Sequence, residues 1–144
     1  MAKPQVMVAL RDSGSVESLV TLACQMAAAL NADLTALHVV EVPPVTPIDA
    51  DDEVLDRDGK AILAAAQKVA AEKFSRKITT QLLRAREAGD AILDEAKEQG
   101  LSLLILGQGG PHSLGDYLTG SAVRHIGRHA PCRVLVQIPP TQES

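Results

Sequence analysis

The chain is poor in aromatic residues, in cysteine and in long apolar runs, and it carries no excess of positive charge. Phe74 and Tyr117 are its only aromatic side chains and it has no Trp, which removes the stacking platforms that single-stranded nucleic acid requires. The 14 basic residues are outnumbered by 18 acidic ones, giving a net charge of −4, so broad binding to a phosphate backbone is not expected and nucleic acid is set aside as a partner. An adenine ring bound to such a chain would lie between aliphatic side chains and backbone. The opening MAKPQVMVAL holds an apolar run far too short for a signal peptide or a spanning helix, so no membrane association and a cytoplasmic location are expected. Cys24 and Cys132 lie far apart with no metal-type spacing. Cys24 falls on the apolar face of a predicted helix and Cys132 follows a proline just before a strand, so both read as buried, reduced thiols acting as small hydrophobes.

What is present is an ordinary globular composition, 46% hydrophobic and 22% charged over 144 residues, long enough for one domain, residues 1–144, with a sizeable core. Val6 to Leu10 is a short apolar run ended by Arg11 to Ser15 and reads as a buried strand. Val16, Leu19, Val20, Ala23, Ala27 and Leu30 follow at helical spacing. Asn31 stops that helix, and Leu34 to Val40 reads as a second strand, which makes a right-handed βαβ unit in a parallel sheet. Glu41 to Gly59 breaks the rhythm with Pro43, Pro44 and Pro47 and the acids Asp49, Asp51, Asp52, Glu53, Asp56 and Asp58. The acids lack the glycine and terminal Glu of a calcium loop; the segment reads as a solvated loop leading into a helix over Lys60 to Lys73.

Ile78 to Arg86 alternates as a third, less buried strand. Gly89-Asp90 is expected to cap a helix over Ala91 to Glu98, with Gly100 at its C-cap. Leu101 to Leu106 is the most continuously apolar strand, as suits the centre of a parallel sheet. A last helix is expected from Ser121 to His129, broken by Pro131, and a fifth strand over Arg133 to Ile138. Five strands alternating with four helices define the doubly wound α/β class, with helices on both faces and ligands beyond the C-terminal strand ends.

The stretch Leu103 to Ser121, LLILGQGGPHSLGDYLTGS, carries the strongest functional signal. A buried strand runs into Gly107, then two residues, Gly110, nine residues, and Gly120-Ser121 at a helix start. Glycines let backbone approach an anion, and helix N-terminal N–H groups face its charge. A P-loop is excluded because no lysine precedes Ser121, and the dinucleotide fingerprint is excluded because Arg11-Asp-Ser-Gly14 does not supply its glycines after the first strand. His125-Ile-Gly-Arg-His129 has the wrong position and spacing for a nucleotidyltransferase element. His112 lies within the glycine loop, and Gly115-Asp116 reads as a turn rather than a magnesium ligand.

This pattern resembles the nucleotide-binding motif of the ATP-binding branch of the universal stress protein family. The likeness extends to Leu103-Leu-Ile-Leu-Gly107, to Gly120-Ser-Ala-Val-Arg124 through Val136, and to His38-Val39-Val40 at the end of the second strand. It implies a Rossmann-like fold of the adenine nucleotide alpha hydrolase type, often a homodimer paired through the last strand. It also implies binding of ATP or another adenosine nucleotide, with Mg2+ as an accompanying ion. By position, Ala9 and Leu10 would border the adenosine and Val39 would meet the adenine through its backbone. Leu106, Gly107 and Gly110 would line the ribose and phosphates. Gly120, Ser121, Ala122 and Val123 would hold the phosphates.

One departure matters. The family usually ends its first strand on an acid, whereas here Arg11 follows Leu10 and Asp12 comes one place later. Three outcomes stay open: Asp12 takes the role, Arg11 turns toward a phosphate, or Arg11 points into solvent and binding weakens. No lysine, paired carboxylates or Ser-His-acid set accompanies the loop, so slow ATP hydrolysis is the most expected of it. The leading reading is a nucleotide-binding stress or regulatory protein; the alternative is a homodimeric interaction module that keeps the fold without the ligand. The short apolar strand Arg133 to Ile138, stopped by Pro139-Pro140, is an edge that calls for a partner or a cover.

Overall fold

The computed structural model describes residues 3–50, 53–108 and 119–138. Strands β1 (Gln5–Leu10), β2 (Asp33–Glu41), β3 (Thr79–Ala85), β4 (Leu103–Gly107) and β5 (Arg133–Gln137) alternate with helices α1 (Val16–Leu30), α2 (Glu53–Phe74), α3 (Ala88–Gln99) and α4 (Gly120–His129). The strands form one parallel sheet in the order β3-β2-β1-β4-β5. β1 pairs with β2 from Gln5↔Asp33 to Leu10↔His38 and with β4 from Val6↔Leu103 to Val8↔Ile105. The chain winds outward through β2 and β3, then returns across β1 to β4. The switch point therefore lies between the C-terminal ends of β1 and β4, where open α/β sheets take their ligands.

Alternation along the strands sorts the core into two layers. Val6, Val8, Leu10, Leu34, Ala36, Leu103 and Ile105 meet α1 and α2. Met7, Ala9, Leu37, Leu104 and Leu106 meet α3 and α4. Each such large side chain contributes about 1.5–3 kcal/mol by leaving water. Both faces being covered explains why β1, β2 and β4 are buried nearly throughout, while the edge strands β3 and β5 are only half-buried. α1 stops where Asn31 turns left-handed, and α3 stops where Gly100 does the same at φ 59° without a Cβ penalty.

Most boundaries shift by a residue or two from the sequence expectation, and three of the differences are instructive. α2 starts at Glu53, not Lys60, because acids in its first turn complement the helix dipole and Asp56 pairs with Arg84 of β3. Gly59 therefore lies inside a helix, at a close approach to the sheet. A Cβ there would stand 2.7 Å from Leu82 Cδ1 and 2.9 Å from His38 Cδ2. α3 opens at Ala88 with Glu87 as N-cap, so Gly89-Asp90 sits in its first turn instead of capping it. β4 begins at Leu103, although the Ser102 amide already donates to the Gln5 carbonyl at 2.8 Å. Both cysteines are free; Cys24 is buried as expected, whereas Cys132 is only half-buried.

Candidate functional site

α4 begins at Gly120, with Thr119 as its N-cap: the Thr119 Oγ1 accepts from the Ala122 amide at 3.2 Å and its carbonyl accepts from the Val123 amide at 3.0 Å. The first amides of a helix have no acceptor within it, which leaves those of Gly120 and Ser121 at the helix mouth. Ser121 is exposed, its hydroxyl 3.2 Å from that of Thr119. Thr119, Ser121 and Ala122 line a cavity of about 510 Å³ together with Arg11, Glu41, Ala88 and His125 among others. The cavity shares Arg11, Glu41 and Ala88 with a narrow apolar slot bordered by Ala9, Leu10, Leu37, Val39 and Ile92. Strand ends β1 and β2 and the starts of α3 and α4 thus converge on one hollow.

The sequence-derived candidates divide on this geometry. Ala9, Leu10, Arg11 and Val39 border the slot, and Ser121 and Ala122 line the cavity. Leu106 and Val123 are buried in the core beneath α3 and α4. Gly107 is buried at the end of β4, paired with Gln137. Gly120 is half-buried with the Gln108 side chain beside it. Gly110, His112, Gly115 and Asp116 lie outside the described residues.

Arg11 and Asp12, where the chain departs from the family pattern, make different contacts. Asp12 caps a single 3-10 turn: its Oδ1 accepts from the Gly14 amide at 3.4 Å and the Ser13 hydroxyl at 3.2 Å. It lines a different cleft, of about 610 Å³, on the α1/α2 side with His38, Leu55 and Asp58. That cleft is larger and shares Arg11 and Glu41 with the cavity, but it adds the acids Asp12 and Asp58, and none of the described glycine-motif residues lines it. Arg11 reaches across the hollow to Glu41, Nη1 to Oε1 3.6 Å, with both side chains well exposed. Such a pair contributes under about 1 kcal/mol, so Arg11 is easily redirected. His38 faces away, toward α2, and its Nδ1–H donates to the Leu10 carbonyl at 2.8 Å, fixing the end of β1.

Sequence reading missed Glu41, Glu87, Thr119 and His125 as cavity residues. Thr119 carried a usable signal, a capping residue type directly before Gly-Ser. Glu87 and His125 did not, because only the packing of α3 against α4 brings them together. His125 Nε2 lies 3.0 Å from Asp90 Oδ1. One ligand atom each of Glu87, Asp90 and His125 lies within 4.8 Å of the others.

Comparison with known proteins agrees with this geometry. Residues 4–137 match the Universal stress protein family. The universal stress protein MJ0531 of Methanocaldococcus jannaschii is 29% identical over 127 residues, covering 84% of this chain and 74% of that protein. A universal stress protein crystallised in complex with cAMP superposes with a TM-score of 0.70 at 26% identity, covering 97% of this chain and 100% of that one. The Archaeoglobus fulgidus universal stress protein in complex with dAMP has a TM-score of 0.71 at 18% identity, over 94% of this chain and 97% of its own, which speaks for the fold alone. No described helix is long and apolar enough to cross a membrane.

Proposed function

The chain belongs to the universal stress protein family, and we propose that it binds an adenosine nucleotide in the hollow between α3 and α4, as a cytoplasmic stress-response or regulatory protein. The observation that carries this reading is the start of α4, where Thr119, Ser121 and Ala122 line a cavity that shares Arg11, Glu41 and Ala88 with an apolar slot. A phosphate is held by such a helix end, and Ala9, Val39 and Ile92 offer an apolar floor for a base. A hollow of about 510 Å³ falls within the range of small-molecule sites, roughly 300–1,000 Å³. Related proteins carry cAMP and dAMP, which supports a single adenosine phosphate as the first ligand to test. ATP with Mg2+ is the extended form of the same proposal.

The test is calorimetric titration of AMP, cAMP and ATP with Mg2+ into the parent and into Ser121→Asp. An acid in the first turn suits the helix dipole but repels a phosphate. Stability should hold while affinity falls by roughly tenfold or more, about 1.4 kcal/mol. Equal affinity in the two proteins would sink the site assignment.

A second reading rests on the same residues that depart from the family pattern. Asp12 is engaged as a cap and Arg11 is paired with Glu41, which favours a module that keeps the fold and pairs with itself. β5 has β4 on one side only and is half-buried, an edge suited to a symmetric dimer. Failure of every nucleotide to bind, with a dimeric mass in solution scattering lost in Val136→Lys, would select that reading.

A further inference from the structure

We propose that Glu87, Asp90 and His125 form a binding site for a divalent transition-metal ion, placed where α3 starts beside α4. The residues come from two helices that are distant in sequence and adjacent in space, so their convergence is a product of tertiary packing. His125 Nε2 and Asp90 Oδ1 already stand 3.0 Å apart, close to the separation of neighbouring ligands around an ion bound at about 2.0–2.2 Å. The Glu87 oxygen completes the triangle within 4.8 Å, and a rotation of that exposed side chain brings it in.

Gly89 lies beside the triangle: a Cβ there would make ordinary contact, at 3.7 Å, with both Glu87 Oε1 and His125 Cδ2. Beside His125 the ring of His129 lies tilted at 45° with the centroids 4.7 Å apart, and its Nδ1–H donates to the His125 carbonyl at 2.9 Å. That contact limits the positions open to the His125 imidazole. Glu87, Gly89 and His125 all line the same cavity, so the remaining coordination positions open toward solvent and ligand rather than into the core.

Ligand chemistry selects the ion. One imidazole nitrogen with two carboxylates suits Zn2+, Mn2+ or Fe2+, whereas Mg2+ and Ca2+ take oxygen ligands. Electrostatics adds a reason for a cation here. Glu41 and Glu87 line the cavity against a single arginine, Arg11, and Asp90 stands at its edge. A bound divalent ion would offset that negative rim beside the helix end at Gly120. The ion is held by protein ligands alone, so the site does not depend on nucleotide binding, and it is tested with no nucleotide present.

The experiment uses the untagged full chain, stripped with chelator, and titrates Zn2+ alone and Mn2+ alone by calorimetry. The parent should take up one ion per chain and its Tm should rise with metal. Asp90→Asn and His125→Gln should each lose affinity by on the order of tenfold or more, a scale that even supporting partners of a metal ligand reach. His129→Gln, which removes the ring beside the His125 ligand, should lose less than either ligand variant. Paramagnetic Mn2+ should broaden amide signals around residues 87–90 and 121–126 before all others. A far-UV spectrum and metal-free Tm like the parent's show that the variants are folded; should either collapse, Glu87→Gln with the broadening map decides. No uptake by the parent, or uptake unchanged in both ligand variants, overturns the proposal. Uptake lost only in Cys24→Ser or Cys132→Ser also overturns it, by placing the ion on a thiol.

Discussion

The two faces of the sheet use their polar groups differently. On the α1/α2 face, helices of 15 and 22 residues cover 19 buried core residues, against helices of 12 and 10 residues over 10 on the α3/α4 face, counted among the described residues. On the thicker face the polar groups hold structure: His38 anchors the Leu10 carbonyl, and Asp56 pairs with Arg84. Each face also carries a cavity, lined by Asp12 and Asp58 above the thicker layer and by Ser121, Glu87 and His125 above the thinner one. The lesson is that one fold offers two unlike hollows, an acidic cleft on one side and a helix mouth on the other.

The comparison is tested most severely by truncating neighbouring residues of β4 that point to opposite faces. Ile105→Ala and Leu104→Ala each remove a fully buried side chain, at a cost of about 3 kcal/mol. The Ile105 site, walled by the longer helices, should relax less and lose more in urea unfolding; the reverse order would break the contrast. Next come two helical glycines. Gly59→Val drives a side chain into Leu82 and His38 and should cost about 2 kcal/mol, a fall in Tm of roughly 4–8 °C. Gly127→Ala on α4 meets nothing within 4 Å and should raise stability by about 0.5 kcal/mol.

A smaller effect is expected at the hollow itself. Glu41→Gln releases Arg11 from its ion pair. It should tighten nucleotide binding roughly three-fold, about 0.6 kcal/mol, and move stability by less than about 1 kcal/mol. Titration with AMP alongside thermal unfolding reads both.

The smallest effect belongs to the two thiols, one on each face. Burial pushes both Cys24 and Cys132 above the ordinary thiol value of 9.0, and nearby Arg76 and the Leu104 backbone partly oppose the shift. The folded chain therefore keeps these protons after the unfolded chain has begun to lose them. The associated stability is complete below pH 9 and declines as pH rises beyond it. The urea midpoint should fall in that range, with a shallower slope in Cys132→Ala. A maleimide reagent should label half-buried Cys132 before buried Cys24; equal rates would show that the thinner face is no more open than the other.

Much of the fold was legible because its signals are local. Apolar runs marked the five strands, Asn31 and Gly100 marked helix ends, and Gly120-Ser121 marked the start of α4. The errors arose where tertiary contacts extend an element. The sequence pattern puts the start of α2 at Lys60, whereas the helix runs two turns further back, where Asp56 pairs with Arg84 of β3. Gly89-Asp90 looked like a cap, yet burial of Ala88 and Gly89 draws the helix start back to Glu87. Of the candidates from Leu106 to Val123, Ser121 and Ala122 line the cavity, Leu106, Gly107 and Val123 are buried, and Gly110 lies outside the described residues. Glu41, Glu87 and His125 reach the same hollow from three elements, and no spacing rule connects them.

The proline-containing connection after β2 has a consequence for how the molecule comes apart. Arg86 directs one nitrogen at the carbonyls of Val42, Pro43 and Thr46, at 3.4, 2.6 and 2.6 Å, and Arg84 holds the Ala50 carbonyl. Two alternate residues at the end of one edge strand thus grip both ends of a segment whose Val45 is 94% exposed. Although it lies on the surface, the segment is tied to the end of β3 at both of its own ends, so proteolysis within it should quicken when β3 peels from the sheet.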